Sequence, residues 1–484
     1  MTERIANEAS HPTAGAAKTA VFTIIAKNYL AFARTLMESV AAQHPNFLRF
    51  VLFVDETEGF LDPTQEIFTI HRSSALPIPQ NRLFHLKYQV LELATAVKPY
   101  YMRFLFETYD IAQMIYLDPD IMLFGQLTPV LDALACHPIV LTPHLTAPFV
   151  DAGHPNEREI MQAGAYNLGF IAARRARETQ ALLDWWAKRL YNDCIADVEQ
   201  NLFVDQRWMD LVPGMFPGVH ILRDPGLNVA YWNLPHRPVR TDCGRYTVNG
   251  VPLRFFHFSG FDPENAHLLS RHEDRFLSPD SLGDARGVVE IYRSRLLANG
   301  YATCTKGPYT HAHFHDGTRI PDLCRQMIRD DLAFQRRLMC LDGVALEDAI
   351  IAYTNEPFEG VASDIILTRF ADALYRTRPD VRVTFPQVAG AHRLAYAQWF
   401  LTDAARDYSL DGVFLRPIAE SVERLTGQQF APSGGPGRAG VLSSIWQALD
   451  TERRALAHAV DDARARGAGR ETDIGTLWKQ GEEP

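Results

Sequence analysis

Residues 118–120 read Asp-Pro-Asp inside the run IYLDPDIMLF, an acid pair with apolar, β-forming sequence on both sides. Two carboxylates at i and i+2 of an extended segment fall on one side of the backbone. Pro119 fixes its own φ and biases Asp118 away from helix, so this arrangement is partly set in advance. Two hard oxygen ligands at the carboxyl end of a strand suit Mg2+ or Mn2+, and such an ion bridges two phosphates. A lone D-x-D tripeptide is commonly a solvated turn. Its placement singles this one out, because neighbouring acids flanked by buried strand repel each other unless a cation lies between them.

Other chemistry-capable residues carry less. His311-Ala312-His313-Phe314-His315-Asp316 would put three imidazoles on one side of an extended segment. No cysteine or acid cluster supports it nearby, so a loop before the next helix is expected. Trp185-Trp186 falls in a helical stretch and belongs in the core. Trp232 follows Asn228 and Tyr231 in a polar-aromatic loop and could stack on a bound ligand.

The elements around the acid pair follow from hydrophobic pattern. Residues 21–26 (VFTIIA) and 48–54 (LRFVLFV) are compact apolar strands separated by a helical pattern over 31–43. That opening predicts a largely parallel sheet covered by helices. Helices over 86–97 and 100–109 are separated by Pro99, and strands follow at 113–117, 121–124, 139–142 and 168–172. A helix over 177–192 and a late strand over 254–258 (RFFHF) complete this part. Past residue 285 helical periodicity dominates, at 288–297, 322–338, 364–375 and 389–407. The expected layout is a disordered segment over 1–18, an α/β domain over 19–284 and a mainly helical domain over 285–430. A Gly/Pro linker with a helix and charged tail then occupies 431–484.

With 484 residues the chain is long enough for two or three domains. Its 47% apolar and 22% charged residues are those of an ordinary globular protein. A formal net charge of −10 argues against nucleic acid as a partner. The six cysteines are scattered with no C-x-x-C pair, which argues against a zinc ribbon or a disulfide framework and for a reducing compartment. No apolar run reaches the roughly 18 residues of a membrane span, and the first twenty residues lack a signal-peptide pattern. A cytoplasmic location is expected, with a peripheral membrane contact left open.

The motifs, taken in order, resemble a family. IYLDPDIMLF looks like the D-x-D strand of retaining nucleotide-sugar glycosyltransferases similar to glycosyltransferase family 8. IIAKNYLAFARTLMESV resembles their first strand and helix, and KPYYMRFLFETYD the helix before the D-x-D strand. GAYNLGFIAARR resembles the F-N-x-G strand, VDQRWMDLV the D-Q segment, and FFHFSGFDP the H-F-x-G element. The likeness spans roughly residues 20–265. The segment LTRFADALYRTRPDVRVTFPQVAGAHRLAYAQWF is similar to a helical module that follows such domains in bacterial surface-polysaccharide glycosyltransferases.

This resemblance implies a GT-A-type nucleotide-sugar-binding domain with a mixed, mostly parallel sheet, followed by a mainly α-helical domain. It implies a metal held by Asp118, Asp120 and His257, with Mn2+ favoured over Mg2+ because imidazole is the softer donor. Asn28 and Tyr29 would line the nucleoside pocket, Arg103 would contact the donor, and Asn167 and Gly169 would lie near the transferred sugar. Asp205 and Gln206 would face its reactive carbon as the catalytic pair. The co-substrate would be a nucleoside-diphosphate sugar and the acceptor a saccharide, a lipid-linked chain or a protein.

Two departures stand out. An acid that reads uracil in some relatives is Ala26 here, which leaves the base open. The lysine of the usual K-P-W is replaced by Phe261-Asp262-Pro263, so the diphosphate needs another cation, for which Lys98, Arg103 and Arg223 are candidates. Resemblance implies retention; Asp205 as a general base toward the acceptor would instead give inversion. A sugar nucleotidyltransferase would carry a glycine-rich basic loop near the first strand, which IIAKNYLAF lacks. A catalytically silent sugar-binding scaffold is disfavoured by the intact acid pair.

Overall fold

The computed structural model describes residues 18–427 and 429, apart from 266, 267 and 359–363. The expectations of a disordered start and of a linker, helix and tail past 430 lie outside the described residues.

The first element is β1 (Thr19–Ile25), every residue of which is buried. A short 3-10 turn leads into α1 (Leu30–Gln43), then β2 (Leu48–Phe53) and β3 (Thr69–Arg72). Three helices follow, α2 (Asn81–Leu86), α3 (Val90–Ala96) and α4 (Lys98–Thr108). The sequence predicts one helix over 86–97; the chain breaks it at 87–89, where the Glu92 carboxylate turns back to accept the Gln89 N–H at 3.1 Å and starts a new helix. Next come β4 (Gln113–Leu117), β5 (Ile121–Leu123), α5 (Thr128–Cys136), β6 (Ile139–Pro143), α6 (Glu157–Ala163), β7 (Tyr166–Arg174) and α7 (Arg177–Leu190). A small hairpin, β8 (Ala196–Asp197) with β9 (Leu202–Phe203), is followed by α8 (Val212–Met215) and β10 (Val219–Ile221). The meander β11 (Val239–Asp242), β12 (Arg245–Val248) and β13 (Val251–Pro252) then leads to β14 (Phe255–His257).

Seven strands form the main sheet in the order β10-β6-β7-β4-β1-β2-β3. All run parallel except β7, which is antiparallel to both β4 and β6. This is the mixed, mostly parallel sheet expected. Its central strands are largely apolar because both of their faces are covered. Residues of α3, α4 and α7 pack on one face and residues of α1 and α5 on the other.

β5 leaves this sheet and pairs antiparallel with β14, setting His257 opposite Ile121. Ser39 of α1 fixes β5 by accepting the Leu123 N–H at 3.0 Å. A local strand pair and one helical side chain therefore hold the segment after the acid pair.

Helix α9 (Ala285–Ala298) packs in one apolar cluster with Phe256, Phe258 and Val239. It therefore continues the sheet unit across the boundary expected at 284/285. After α10 (Tyr301–Cys304), a second cluster begins at Phe314 and runs to Val422. Its helices are α11 (Asp322–Asp330), α12 (Leu332–Leu338), α13 (Gly343–Asn355), α14 (Arg369–Thr377), α15 (Pro379–Thr384), α16 (Arg393–Trp399), α17 (Ala405–Asp407) and α18 (Gly412–Thr426). The single helix expected over 322–338 splits at Asp331, whose carboxylate caps α12 by accepting the Phe334 N–H at 2.8 Å. Leu83 and Leu86 of α2 belong to this second core. Each fully buried leucine contributes about 1.5–3 kcal/mol, so the helical unit is anchored on the sheet unit by shared burial.

Candidate functional site

Asp118 stands at the end of β4, where its N–H donates to the Gly169 carbonyl of β7 at 2.8 Å. The sequence predicts Asp118-Pro119-Asp120 as extended. The structure makes it a turn, closed by the Ile121 N–H on the Asp118 carbonyl at 3.1 Å. The φ that proline enforces is the one required after the first residue of such a turn. The turn aims both carboxylates at His257. The His257 Nε2 lies 3.1 Å from Asp120 Oδ1 and 3.7 Å from Asp118 Oδ2.

One donor atom of each of these three residues lies within 4.8 Å of the others, making them the one such group among the described residues. Asp120 Oδ1 is buried and, although close to Nε2, accepts no aligned hydrogen bond. A buried carboxylate oxygen without a donor is costly unless a cation takes its lone pairs. Adjacent ligands of an ion at about 2.1 Å stand roughly 3 Å apart, which the imidazole–Asp120 spacing matches. The residues present therefore fit a divalent ion.

Electrostatics agree. Burial raises the Asp118 carboxyl above its ordinary value, against the opposing pull of Lys98 and His257. Burial alone would lower the His257 imidazole, but Asp120 and Asp118 outweigh it and leave it raised. Tyr116, its phenol kept protonated by burial and by Asp118, donates to Asp118 Oδ1 at 2.5 Å. That bond occupies Oδ1 and leaves Oδ2 toward His257.

Behind the imidazole lies a buried amide network. His257 Nδ1 is 3.4 Å from Asn228 Oδ1, and Asn228 Nδ2 donates to Asn167 Oδ1 and Thr142 Oγ1, each at 3.0 Å. Asn167 Nδ2 donates to His144 Nε2 at 3.1 Å. Gln206 Oε1 accepts the Leu168 N–H at 2.9 Å, and its Nε2 donates to the Ala163 carbonyl at 2.9 Å. Asn167, Gly169 and Gln206 are thus brought together around β7. A Cβ on Gly169 would meet His257 Cε1 at 2.4 Å, so only glycine lets β7 approach the ring.

Asp205 is 1% exposed and forms an ion pair with Lys98 at 2.6 Å. The Lys98 ammonium also donates to the Leu168 carbonyl at 3.0 Å and lies 4.0 Å from the Tyr116 ring centre. Lys98 thus ties the D-Q segment, β7 and β4 together from inside. Arg103 is paired with Asp184 of α7 at 2.5 Å. Arg223 is exposed, with Nη1 at 3.4 Å from the Ile221 carbonyl of β10. Asn28 and Tyr29 form the turn after β1. Tyr29 stacks on Phe32 at 4.6 Å, and burial and the Asp120 carboxylate push its phenol up to about 12.

Trp232 is buried and stands edge-on to the His257 ring at 5.1 Å and the His144 ring at 5.3 Å, so it walls the site. Trp186 lies in the core. The histidine-rich run bridges the two units: His311 Nδ1 lies 2.9 Å from Arg82, and His315 contacts the Glu347 carboxylate at 3.0 Å.

Sequence reasoning missed Asn228 and His144 as members of the network and Tyr116 as the orienting donor. Asn228 adopts a left-handed backbone, φ 53°, that asparagine tolerates. Its only signal is its residue type in a loop.

No protein-family model matches the chain. The uncharacterized protein YfnD of Bacillus subtilis is 24% identical over 250 residues, 49% of this chain and 76% of that protein. The uncharacterized YfnF of the same organism is 22% identical over 281 residues, 57% and 90% of the two chains. Among solved structures, the glycosyltransferase GlyE of Streptococcus pneumoniae aligns with TM-score 0.35 and 15% identity, covering 62% of this chain and 67% of that one. The galactosyltransferase LgtC aligns with TM-score 0.32 and 16% identity, covering 58% and 95%. The bifunctional glycosyltransferase WbbM aligns with TM-score 0.33 and 12% identity, covering 59% and 53%.

Proposed function

We propose that the chain is a metal-dependent glycosyltransferase. It would transfer a sugar from a nucleoside-diphosphate sugar to a saccharide or lipid-linked acceptor, with retention, in surface-polysaccharide synthesis. The observation that carries this reading is the convergence of Asp118, Asp120 and His257, residues up to 139 positions apart in sequence (257 − 118), on one cation-sized site. The ordered motif series read from the sequence supports the donor class.

In this reading Asp118, Asp120 and His257 hold Mn2+ or Mg2+, which as a Lewis acid would offset the charge that grows on the departing diphosphate. Tyr116 orients the Asp118 carboxylate, and Asn228 orients the imidazole, as outer hydrogen bonds do around metal ligands. Asn28 and Tyr29 flank the nucleoside, while Asn167, Gly169 and Gln206 form the floor beside the transferred sugar. The Asp205 carboxylate is buried against Lys98, which suits a fixed structural charge better than a base that must reach an acceptor hydroxyl. That pairing favours retention over inversion.

The test is incubation with a panel of nucleotide sugars and Mn2+ while following release of nucleoside diphosphate and the anomeric configuration of the product. Asp120→Ala is expected to abolish release while the protein stays folded. Undiminished release by that variant removes the proposed mechanism.

A further inference from the structure

A cavity of about 280 Å3 opens where α11 and α14 of the helical unit meet the head of α3. None of its lining residues belongs to the metal centre. Its volume is at the small end of ligand sites, with room for about one sugar ring.

Four polar residues of α11 line it together, Asp322, Arg325, Gln326 and Arg329. They stand at i, i+3, i+4 and i+7, which is one side of a helix. Arg325 is 4% exposed. Its terminal nitrogens donate to the Leu86 carbonyl at 3.1 Å and the His311 carbonyl at 2.8 Å. Its Nε–H has no acceptor among the described residues, which leaves that donor to the cavity the residue borders. The Asp322 carboxylate and the Gln326 amide also make no hydrogen bond or ion pair among the described residues. Burial raises the Asp322 carboxyl, against the pull of Arg325. Tyr408 adds a half-buried ring, whose hydroxyl accepts from Arg378 at 2.8 Å and keeps its own proton to donate.

Charge narrows the occupant. The lining carries one carboxylate, Asp322, and two guanidinium groups, and Glu92 at 3.8 Å from Arg329 offsets one of these. A phosphate would meet no excess of positive charge there. What stays open is a mixed set: an acceptor at Asp322, a donor at Arg325 and both kinds in the Gln326 amide. Neighbouring hydroxyls, each able to donate and to accept, answer such a set.

We propose that this cavity is a second saccharide site, which holds one neutral sugar of the acceptor outside the metal centre. Asp322 accepts from its hydroxyls, Arg325 and Gln326 donate to them, and Tyr408 lines one edge of the ring. Choosing a sugar among polyhydroxylated ligands, and making it part of the acceptor, rests on the glycosyl-transfer reading above.

The experiment is saturation-transfer NMR titration of the full chain, in chelator, with glucose, galactose, mannose, rhamnose and N-acetylglucosamine, and with inorganic phosphate as competitor. At least one of these sugars is expected to bind the wild type and Asp120→Ala alike, and phosphate should not displace it. Asp322→Asn and Gln326→Ala should each weaken that sugar by about tenfold or more, with the melting temperature as in the wild type. Asparagine keeps the side-chain shape at position 322, and alanine is the residue a helix tolerates best at 326, so the two variants together separate lost binding from lost fold. Binding that neither variant weakens overturns the assignment, as does binding lost in Asp120→Ala, which would put the sugar at the metal centre. Displacement by phosphate, or no binding of any of the five sugars, overturns it too. All of these leave the glycosyl-transfer reading standing, because release of nucleoside diphosphate decides that separately. Sugar binding here with no such release from any nucleotide sugar brings down that reading, and the acceptor role with it.

Discussion

A methyl group at position 169 would lie 2.4 Å from His257 Cε1 and 2.8 Å from its Nδ1. Gly169→Ala is therefore expected to push the imidazole off the acid pair, at a packing cost of about 1–3 kcal/mol. Mn2+ titration and a thermal melt, read together, separate lost metal affinity from lost fold; unchanged affinity would mean that the ring has room. Tyr116→Phe removes the one hydrogen bond that fixes Asp118 Oδ1 and keeps the ring volume. Loss of such an outer-shell partner lowers metal affinity by roughly tenfold or more, which the same titration reads. The acid pair stood out in the sequence by its own local pattern, whereas the histidine and the glycine were named only through the resemblance of their segments to a family's motifs. Neither route singled out Asn228 or His144 as members of the site. They reach the site from loops after β10 and β6, through contacts 29 and 23 residues away in the chain that no local pattern encodes.

Among the elements, apolar runs gave the central strands to within two residues, because strands buried on both faces leave no alternation to misread. Strands β3 and β10 at the sheet's two margins escaped notice, being short and only partly buried. The helix breaks at 87–89 and Asp331 were also missed, since a side chain that caps the next helix reads as one more polar position. The joint between the two units is carried by Glu347 of α13, which receives Arg82 of α2 and the His315 ring and backbone. Glu347→Gln leaves Arg82 without its buried partner. Because the Arg82 side chain is 30% exposed, the cost is discounted to about 1–3 kcal/mol. Calorimetry should show a lower melting temperature for the variant, and an unchanged melt would deny the joint this role. Burial would raise the Glu347 carboxyl, but Arg82 and His315 outweigh it and hold it below its ordinary value. A depressed carboxyl contributes stability above the usual glutamate range and loses it as pH falls through the depressed value. The stability gap between wild type and Glu347→Gln should therefore close in acid.

For the molecule as a whole, a chain of net charge −10 carries a compact acid pair at the carboxyl end of its sheet. Among the described residues no helix is long and apolar enough to cross a membrane. A cation that binds only the folded state should raise stability by RT ln(1 + [L]/Kd), about 2.7 kcal/mol at one hundred times Kd. A thermal shift on adding Mn2+, reversed by chelator and absent in Asp120→Ala, is expected. The sharpest test counts the ion itself. Paramagnetic resonance titration of Mn2+ should show one tight site in the wild type, none in Asp120→Ala and a clearly weakened one in His257→Ala. Identical binding by all three proteins would contradict a metal centre built from Asp118, Asp120 and His257.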